Sequence, residues 1–210
     1  MPQTCPLCKS STTLFFEGKN RIHYQCNTCF GLVSDTSSLP SSELEKTHYQ
    51  QHNNDIEDKG YQQFVSPITT SVRRDFTTKH KGLDFGAGTG PVITKVLADH
   101  SFCIAPYDPY FHNYPELLNE QYDYITCCEV IEHFFYPHKE FSMLRNLLKP
   151  GGKLYCMTHL YDKNINFANW YYKNDPTHVF IYQQQTLEWI RKTFKFSDLQ
   201  IENRLIVFSV

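Results

Sequence analysis

The stretch KGLDFGAGTGPV, Lys81 to Val92, decides how this chain is read. A short apolar run, Gly82-Leu83-Asp84-Phe85, enters glycines at alternate positions 86, 88 and 90, and an apolar helical pattern begins straight after. Glycine loses more conformational entropy on folding than other residues, so three in five positions imply a backbone that turns sharply or lies against a ligand. Pro91 suits the first helical position, where a missing N–H costs nothing. A dinucleotide fingerprint, G-x-G-x-x-G, is not met, because Pro91 stands where its third glycine belongs, and no Gly-Lys-Ser/Thr follows to make a phosphate-cradling loop. The remaining reading is an adenosyl ligand without a pyrophosphate. Asp108, 22 positions beyond Gly86 in APYDPYF, supports it, since a carboxylate at the tip of the second strand reaches ribose hydroxyls at about that spacing.

Working outward, short apolar runs alternate with helical stretches from His80 onward: GLDF, PVITKVLADH, SFCIAPY, YDYITCC, HKEFSMLRNLL, KLYCMTHL and QQTLEWIRKTF. Strands alternating with helices require crossover connections, which predicts an α/β fold, a Rossmann-like doubly wound and mostly parallel sheet covered on both faces. The tail FSDLQIENRLIVFSV reads as two strands around a turn at Glu202 and Asn203, so the sheet should end in an antiparallel pair. Before this unit, residues 1–35 are punctuated by cysteine. From Ser34 the composition turns polar, SDTSSLPSSELEK, and residues 36–75 read as a partly helical linker, with Ser42 and Glu45 spaced as a capping box. The third unit is then 76–210.

Composition narrows the function. The 210 residues carry 20 Lys and Arg against 22 Asp and Glu, a net charge of −2, so no global field draws the molecule to nucleic acid or anionic lipid. No apolar run approaches the roughly 18 residues of a membrane span, and MPQTCPLCKS lacks the pattern of a signal peptide, which predicts a soluble cytoplasmic protein.

In this order, LDFGAGTG, YDPY, YDYITCCEVIEHF and LLKPGGKLYCMTH resemble the motifs of class I S-adenosylmethionine-dependent methyltransferases, over roughly residues 76 to 210. The E-V-I-E-H after the fourth strand is similar to the branch that contains the quinone-ring methyltransferases. The resemblance implies that Gly86, Ala87, Gly88 and Gly90 lie under the methionine part of the cofactor, with Asp84 near its amino group. It further implies that Asp108 binds the ribose, that Glu129 lines the pocket, and that His133 faces the transferred methyl from the following helix. Lys149 to Gly152 would make a tight turn before the fifth strand. Tyr49 and His52 are expected to close over the cofactor, as N-terminal segments do in this family. One departure stands out: between Asp108 and Tyr122 there is too little chain for the usual helix, third strand and adenine-contacting loop, so the third strand should be short or missing.

Methyl transfer from a sulfonium needs positioning above all, and a base only where the nucleophile is protonated. His133 and His178 are the candidate bases, with Asp175, three residues before His178, placed to orient its ring. Trp170, Tyr171 and Tyr172 read either as a lid over a flat acceptor or as packing on the sheet.

Two C-x-x-C pairs, Cys5/Cys8 and Cys26/Cys29, lie seventeen residues apart. Each pair points two thiolates at one ion, and two pairs complete the tetrahedral site that Zn²⁺ prefers. Four protein ligands leave no open position, so this would be a structural zinc ribbon, with two disulfides, or iron in place of zinc, as the alternative readings. The other four cysteines, Cys103, Cys127, Cys128 and Cys156, fall in apolar runs and read as core thiols. The expectation is a methyltransferase acting on an O, N or C nucleophile of a small molecule. Rival readings are a methyltransferase of ribosomal or transfer RNA that grips RNA with the ribbon, and a non-catalytic protein that keeps the fold as a scaffold.

Overall fold

The computed structural model describes residues 3–19, 21–50 and 55–210. A six-stranded sheet runs in the order β5 (Cys103–Tyr107), β4 (Lys81–Phe85), β6 (Tyr122–Cys128), β7 (Leu148–Met157), β10 (Leu205–Ser209), β9 (Asp198–Glu202). The first four strands are parallel and the last two antiparallel, as the alternating pattern and the tail predict. The final turn falls one residue later than expected, at Asn203 and Arg204, with Asn203 at φ +54°.

Side chains alternate across the sheet with the period of two that a strand imposes. Ile125, Cys127, Leu154, Cys156, Ile206 and Phe208 face one core together with Phe141 and Leu144 of α5 (Pro137–Leu147) and Leu187 and Ile190 of α6 (Gln184–Thr193). Tyr124, Tyr155, Met157, Leu205 and Val207 face the other, against Val92, Ile93 and Leu97 of α4 (Val92–Asp99). Both faces are thus covered. Val65, Ile68 and Val72 belong to that second core. Helix α3 (Ser66–Asp75) therefore packs on the sheet at β7, and α2 (Lys59–Phe64) packs on α3 and α4 rather than serving as a tether. Asp75 fixes the end of α3 by accepting hydrogen bonds at 2.8 Å from Lys153 Nζ and Tyr155 Oη.

The short segment after Asp108 holds a single 3₁₀ turn, Pro115–Asn119, and β5 forms the edge of the sheet, so the third strand is missing as expected. Several local expectations shift. Pro91 is the cap of α4, not its first residue, and Ile131–His133 is one 3₁₀ turn, the α-helix starting only at Pro137. Lys149 to Gly152 form a bulge inside β7, which advances from Leu148 to Lys153 while β6 advances from Tyr122 to Tyr124. Helix α1 (Ser42–Gln50) is capped by Ser41, whose hydroxyl accepts from Leu44 N, and Glu45 turns elsewhere. Cys127 and Cys156 are core thiols, whereas Cys103, the first residue of an edge strand, is exposed.

The cysteine-rich head folds as β1 (Thr12–Glu17), β2 (Ile22–Cys26) and β3 (Leu32–Ser34), and its sheet is completed by β8 (Phe180–Ile181) from the far end of the chain. Cys5, Leu7, Cys26 and Cys29 share one continuous core with Phe180 and Tyr182. A Cβ on Gly31 would lie 2.0 Å from Phe180 Cζ, so the head closes on β8 with no room for a side chain there. Among the described residues no helix is long and apolar enough to cross a membrane.

Candidate active site

The glycine turn lies where β4 and β5 end together. Gly86 and Ala87 both donate to Tyr107 O, at 2.8 and 3.1 Å, which folds the loop over the tip of β5. Gly86 sits at φ +78° and Gly88 at φ +64°, conformations that cost a side-chain-bearing residue about 1–2 kcal/mol. A Cβ on Gly86 would also lie 2.4 Å from Val130 Cγ2, so the loop presses directly against the end of β6.

Asp108 is 7% exposed at the tip of β5. One carboxylate oxygen accepts from Gly88 N at 3.0 Å, the other from Tyr110 N at 2.8 Å and Phe111 N at 3.1 Å. A carboxylate offers about four lone-pair directions, so three backbone donors leave it acceptor capacity for a further donor. Asp84 is placed otherwise than expected. It is buried beneath the loop, with Thr126 Oγ1 donating at 2.8 Å to one oxygen and Thr94 Oγ1 at 2.9 Å to the other, and burial raises its pKa. It ties β4, β6 and α4 together, a brace rather than a surface for the cofactor's amino group.

After β6 the chain makes an uncommon turn, with Glu129 at φ +53° and its N–H donating to Met157 O at 2.8 Å. Glu129 pairs with Arg204 Nη2 at 2.5 Å, while burial and then the neighbouring Glu132 push its carboxyl above the usual range. Glu132 is fully buried, and its Oε1 accepts from Tyr172 Oη at 2.5 Å. Its pKa too is raised by burial, against the opposing hydrogen bond from Tyr172.

The two candidate bases, distant in sequence, meet. The rings of His133 and His178 stand 4.9 Å apart, edge to face. His178 Nδ1 donates to Tyr172 O at 2.8 Å and His133 Nδ1 to Thr177 O at 3.0 Å. A carbonyl can only accept, so both neutral rings carry the proton on Nδ1 and present a bare Nε2. Burial lowers the pKa of both, that of His178 to about 4 with help from His133. Asp175 does not orient the ring as expected: one of its oxygens accepts from Thr177 N at 2.9 Å and Thr177 Oγ1 at 2.6 Å, and its other oxygen is 3.9 Å from His178 Nε2.

Tyr49, on α1, reaches this end of the site, its ring 5.6 Å from that of His133 and 6.4 Å from that of Tyr110. Glu45 accepts from Tyr49 Oη at 2.8 Å, so the acid expected to cap α1 instead braces it. His52 lies outside the described residues. Of the three consecutive aromatics, Tyr172 is buried on Glu132 while Tyr171 is 66% exposed, with its hydroxyl 2.8 Å from His159 Nε2.

Sequence reasoning missed Arg21. From the head it donates to the carbonyls of Lys173, Asp175, Pro176 and His178, gripping the loop that carries His178. Ser34 Oγ adds a hydrogen bond to His178 O at 2.7 Å. Nothing about an isolated arginine in a polar hairpin announces such a role. Glu132 was at least visible as the second acid of E-V-I-E-H.

In the head, Cys5 Sγ lies 3.6 Å from Cys29 Sγ, Cys8 Sγ lies 3.2 Å from Cys26 Sγ, and all four sulfurs fall within 4.8 Å of one another. The two pairs repeat one geometry. Lys9 N donates to Cys5 O and Phe30 N to Cys26 O; Cys5 N donates to Ser10 O and Cys26 N to Gly31 O; and Lys9 and Phe30 sit at φ +63° and +62°.

The sequence matches the family described as "Methyltransferase domain" over residues 48–201. The chain belongs to this methyltransferase family. By that membership it is an enzyme, a methyltransferase. A search among curated proteins gave no match. Among solved structures, the chain is similar to the Burkholderia thailandensis 1,6-didemethyltoxoflavin-N1-methyltransferase, solved with 1,6-didemethyltoxoflavin and S-adenosylhomocysteine, at 11% identity and TM-score 0.56 over 94% of this chain and 97% of that one. An O-methyltransferase family protein of the same organism aligns at 11% identity and TM-score 0.56 over 83% of this chain and 64% of its own. Human N-acetylserotonin methyltransferase, in complex with S-adenosylmethionine, aligns at 14% identity and TM-score 0.54 over 83% and 61%. The chain thus spans less than two thirds of the length of the last two. At these identities the likeness is one of fold.

Proposed function

We propose that this methyltransferase acts on a small molecule and binds S-adenosylmethionine at the joined tips of β4 and β5. The observation that supports the reading is the contact of Asp108 with Gly88 N at 3.0 Å, which joins the acid expected at the ribose to the glycine turn. When bound, the cofactor supplies a methyl group already activated by its sulfonium. The residues of this chain bind, orient and exclude water. Gly86 to Gly90 bring main chain close, Asp108 accepts from the sugar hydroxyls, Glu129 and Val130 wall the crevice at the tip of β6, and Tyr49 covers it. His133 and His178 mark the acceptor's end of the site, where its proton must leave.

The small-molecule reading draws on the structural neighbours, which include enzymes named for 1,6-didemethyltoxoflavin and N-acetylserotonin. The E-V-I-E-H at Glu129–His133 extends it towards a flat, ring-bearing acceptor of the kind the quinone-ring branch methylates. A net charge of −2 makes RNA the weaker choice of acceptor.

The head, residues 1–35, we assign as a structural zinc ribbon held by Cys5, Cys8, Cys26 and Cys29. Tetrahedral zinc at about 2.3 Å from each thiolate requires sulfurs about 3.8 Å apart, close to the separations in the two facing pairs. The repeated knuckle supports the same assignment. Residues 59–75 are assigned with 76–210 to the methyltransferase unit, leaving a shorter linker than the sequence suggested.

Isothermal titration with S-adenosylhomocysteine tests the central claim. Wild type should bind, and Asp108→Ala should bind at least about tenfold more weakly, as expected for loss of a charged hydrogen bond. Absence of binding in the folded wild type would refute the reading, and equal affinity in the variant would remove Asp108 from it.

A further inference from the structure

We propose that Glu132, His133 and His178 form a second metal site, for a divalent first-row cation that holds a hydroxyl oxygen of the methyl acceptor. These side chains converge from two separate segments, the turn after β6 and the loop before β8, and each offers one ligand atom within 4.8 Å of the other two. For any triangle of that size a point exists no more than about 2.8 Å from every corner (4.8/√3). Imidazole and carboxylate ligands bind such ions at about 2.0–2.2 Å, so side-chain shifts of about half an ångström close the site.

Three features separate this cluster from a chance meeting of polar groups. Both imidazoles donate Nδ1–H to backbone carbonyls, Thr177 O and Tyr172 O, which fixes the rings and leaves Nε2 bare on each. Orientation of a ligand histidine through its other nitrogen is the usual second layer of a metal centre. The second is Glu132. Its Oε1 is held by Tyr172, whereas Oε2 is buried with no hydrogen-bond partner among the described residues, an arrangement that costs about 1–3 kcal/mol unless something else meets it. Third, Asp175 Oδ2 stands 3.9 Å from His178 Nε2, adding negative charge beside the position a cation would take.

The donor set points to the chemistry. Two histidines and one carboxylate form a three-ligand site that leaves coordination positions open, unlike the four-thiolate head. His133 is only half-buried and borders Tyr49, so the open side is the acceptor's end of the crevice. A cation there fixes the acceptor oxygen and makes its hydroxyl more acidic. The two rings then act as ligands rather than as proton acceptors. Only the cation's role, not its binding, rests on the methyltransferase reading.

Titration of the full chain with Mn²⁺, followed by the electron paramagnetic resonance signal of the free ion, tests the site. Thiolates favour softer ions, so the head contributes little to Mn²⁺ binding. Wild type should bind one Mn²⁺, and both Glu132→Gln and His178→Ala should weaken it at least about tenfold. Because His178→Ala loosens a buried loop, Glu132→Gln, which keeps the volume and the bond from Tyr172, is the deciding variant, compared with wild type below both melting transitions. No Mn²⁺ binding by folded wild type, or equal affinity in Glu132→Gln, overturns the proposal. S-adenosylhomocysteine titrated into the same samples separates the two claims. Its binding without Mn²⁺ binding refutes the metal site alone, and Mn²⁺ binding without it refutes the cofactor reading alone.

Discussion

Replacing Gly86 by alanine should damage the enzyme through two separable terms. The first is conformational: at φ +78° a Cβ costs about 1–2 kcal/mol. The second is steric, since the new carbon would stand 2.4 Å from Val130 Cγ2 and 2.7 Å from Cγ1, and overpacking of this sort costs about 1–3 kcal/mol. Stiffening of the unfolded chain returns about 0.4–1 kcal/mol, so Gly86→Ala should lose about 1–5 kcal/mol. Val130→Ala removes both clashing methyls. In that background Gly86→Ala should cost about 1–3 kcal/mol less, leaving only the conformational term, and a double-mutant cycle measures the difference. Urea unfolding supplies the four free energies, provided the slope m is unchanged across the set. S-adenosylhomocysteine affinity should follow the same order, because relief of the clash lets the loop stay over the tip of β5. An identical cost in both backgrounds would refute the steric argument, and a harmless Gly86→Ala would refute both.

Arg21→Met should destabilise by about 2–4 kcal/mol, since a charged donor to four carbonyls is lost, and hydrogen exchange should accelerate at 172–178; unchanged exchange there would show that the loop stands without its grip. His23 is fully buried against Phe16 and Phe167, with neither ring nitrogen hydrogen-bonded among the described residues, and burial pushes its pKa down to about 3. The unfolded chain, with its histidine near 6.5, then binds the extra proton, so this residue alone should withdraw about 2 kcal/mol of stability between pH 7 and 5, with His178 acting in the same sense and Glu129 and Glu132 in the opposite one; His23→Leu should remove that share of the pH dependence, and a curve whose slope the substitution leaves unaltered would assign it elsewhere. If the head holds zinc as proposed, a chelator should raise exchange in β1 to β3 and in β8, which pairs with β3; protection that survives would mean that the head holds without an ion.

What was legible in the sequence follows from how local each signal is. The glycine turn, the strand alternation and the paired C-x-x-C motifs are set by neighbours within a few residues, and the structure returns each of them. The missing third strand was also legible, because chain length alone decides whether an element fits between Asp108 and Tyr122. Pattern failed where long-range contacts choose. Asp84 was expected at the cofactor because its position in the motif says nothing of Thr94 and Thr126, which claim its oxygens. Glu45 fits a capping box by spacing, yet Tyr49 and Tyr110 compete for its carboxylate and the cap falls to Ser41. Residues 59–75 look like a linker because their apolar positions are few, but Val65, Ile68 and Val72 are enough to seat α3 in the core on that face, with Tyr61 and Phe64 of α2 packed against it.

The head and the site are mechanically one object, tied by contacts as far apart in the chain as Arg21 and His178, which are 157 residues from one another. Strand β3 pairs with β8, and the segment entering β8 carries His178. Arg21 and Ser34 bind the carbonyls of that same segment, and Val179 N donates back to Glu132 O at 2.9 Å. Loops that hold reacting groups are ordinarily drawn from the least stable parts of a fold. Here the loop lies between two rigid supports, the cysteine-bound hairpins on one side and the end of β6 on the other. A small ribbon has too little apolar core to be stable by itself, and its ion would supply what is missing. In the proposed ribbon, the energy of four metal–thiolate bonds would be transmitted, through Arg21 and the paired strands β3 and β8, to the position of the His178 imidazole.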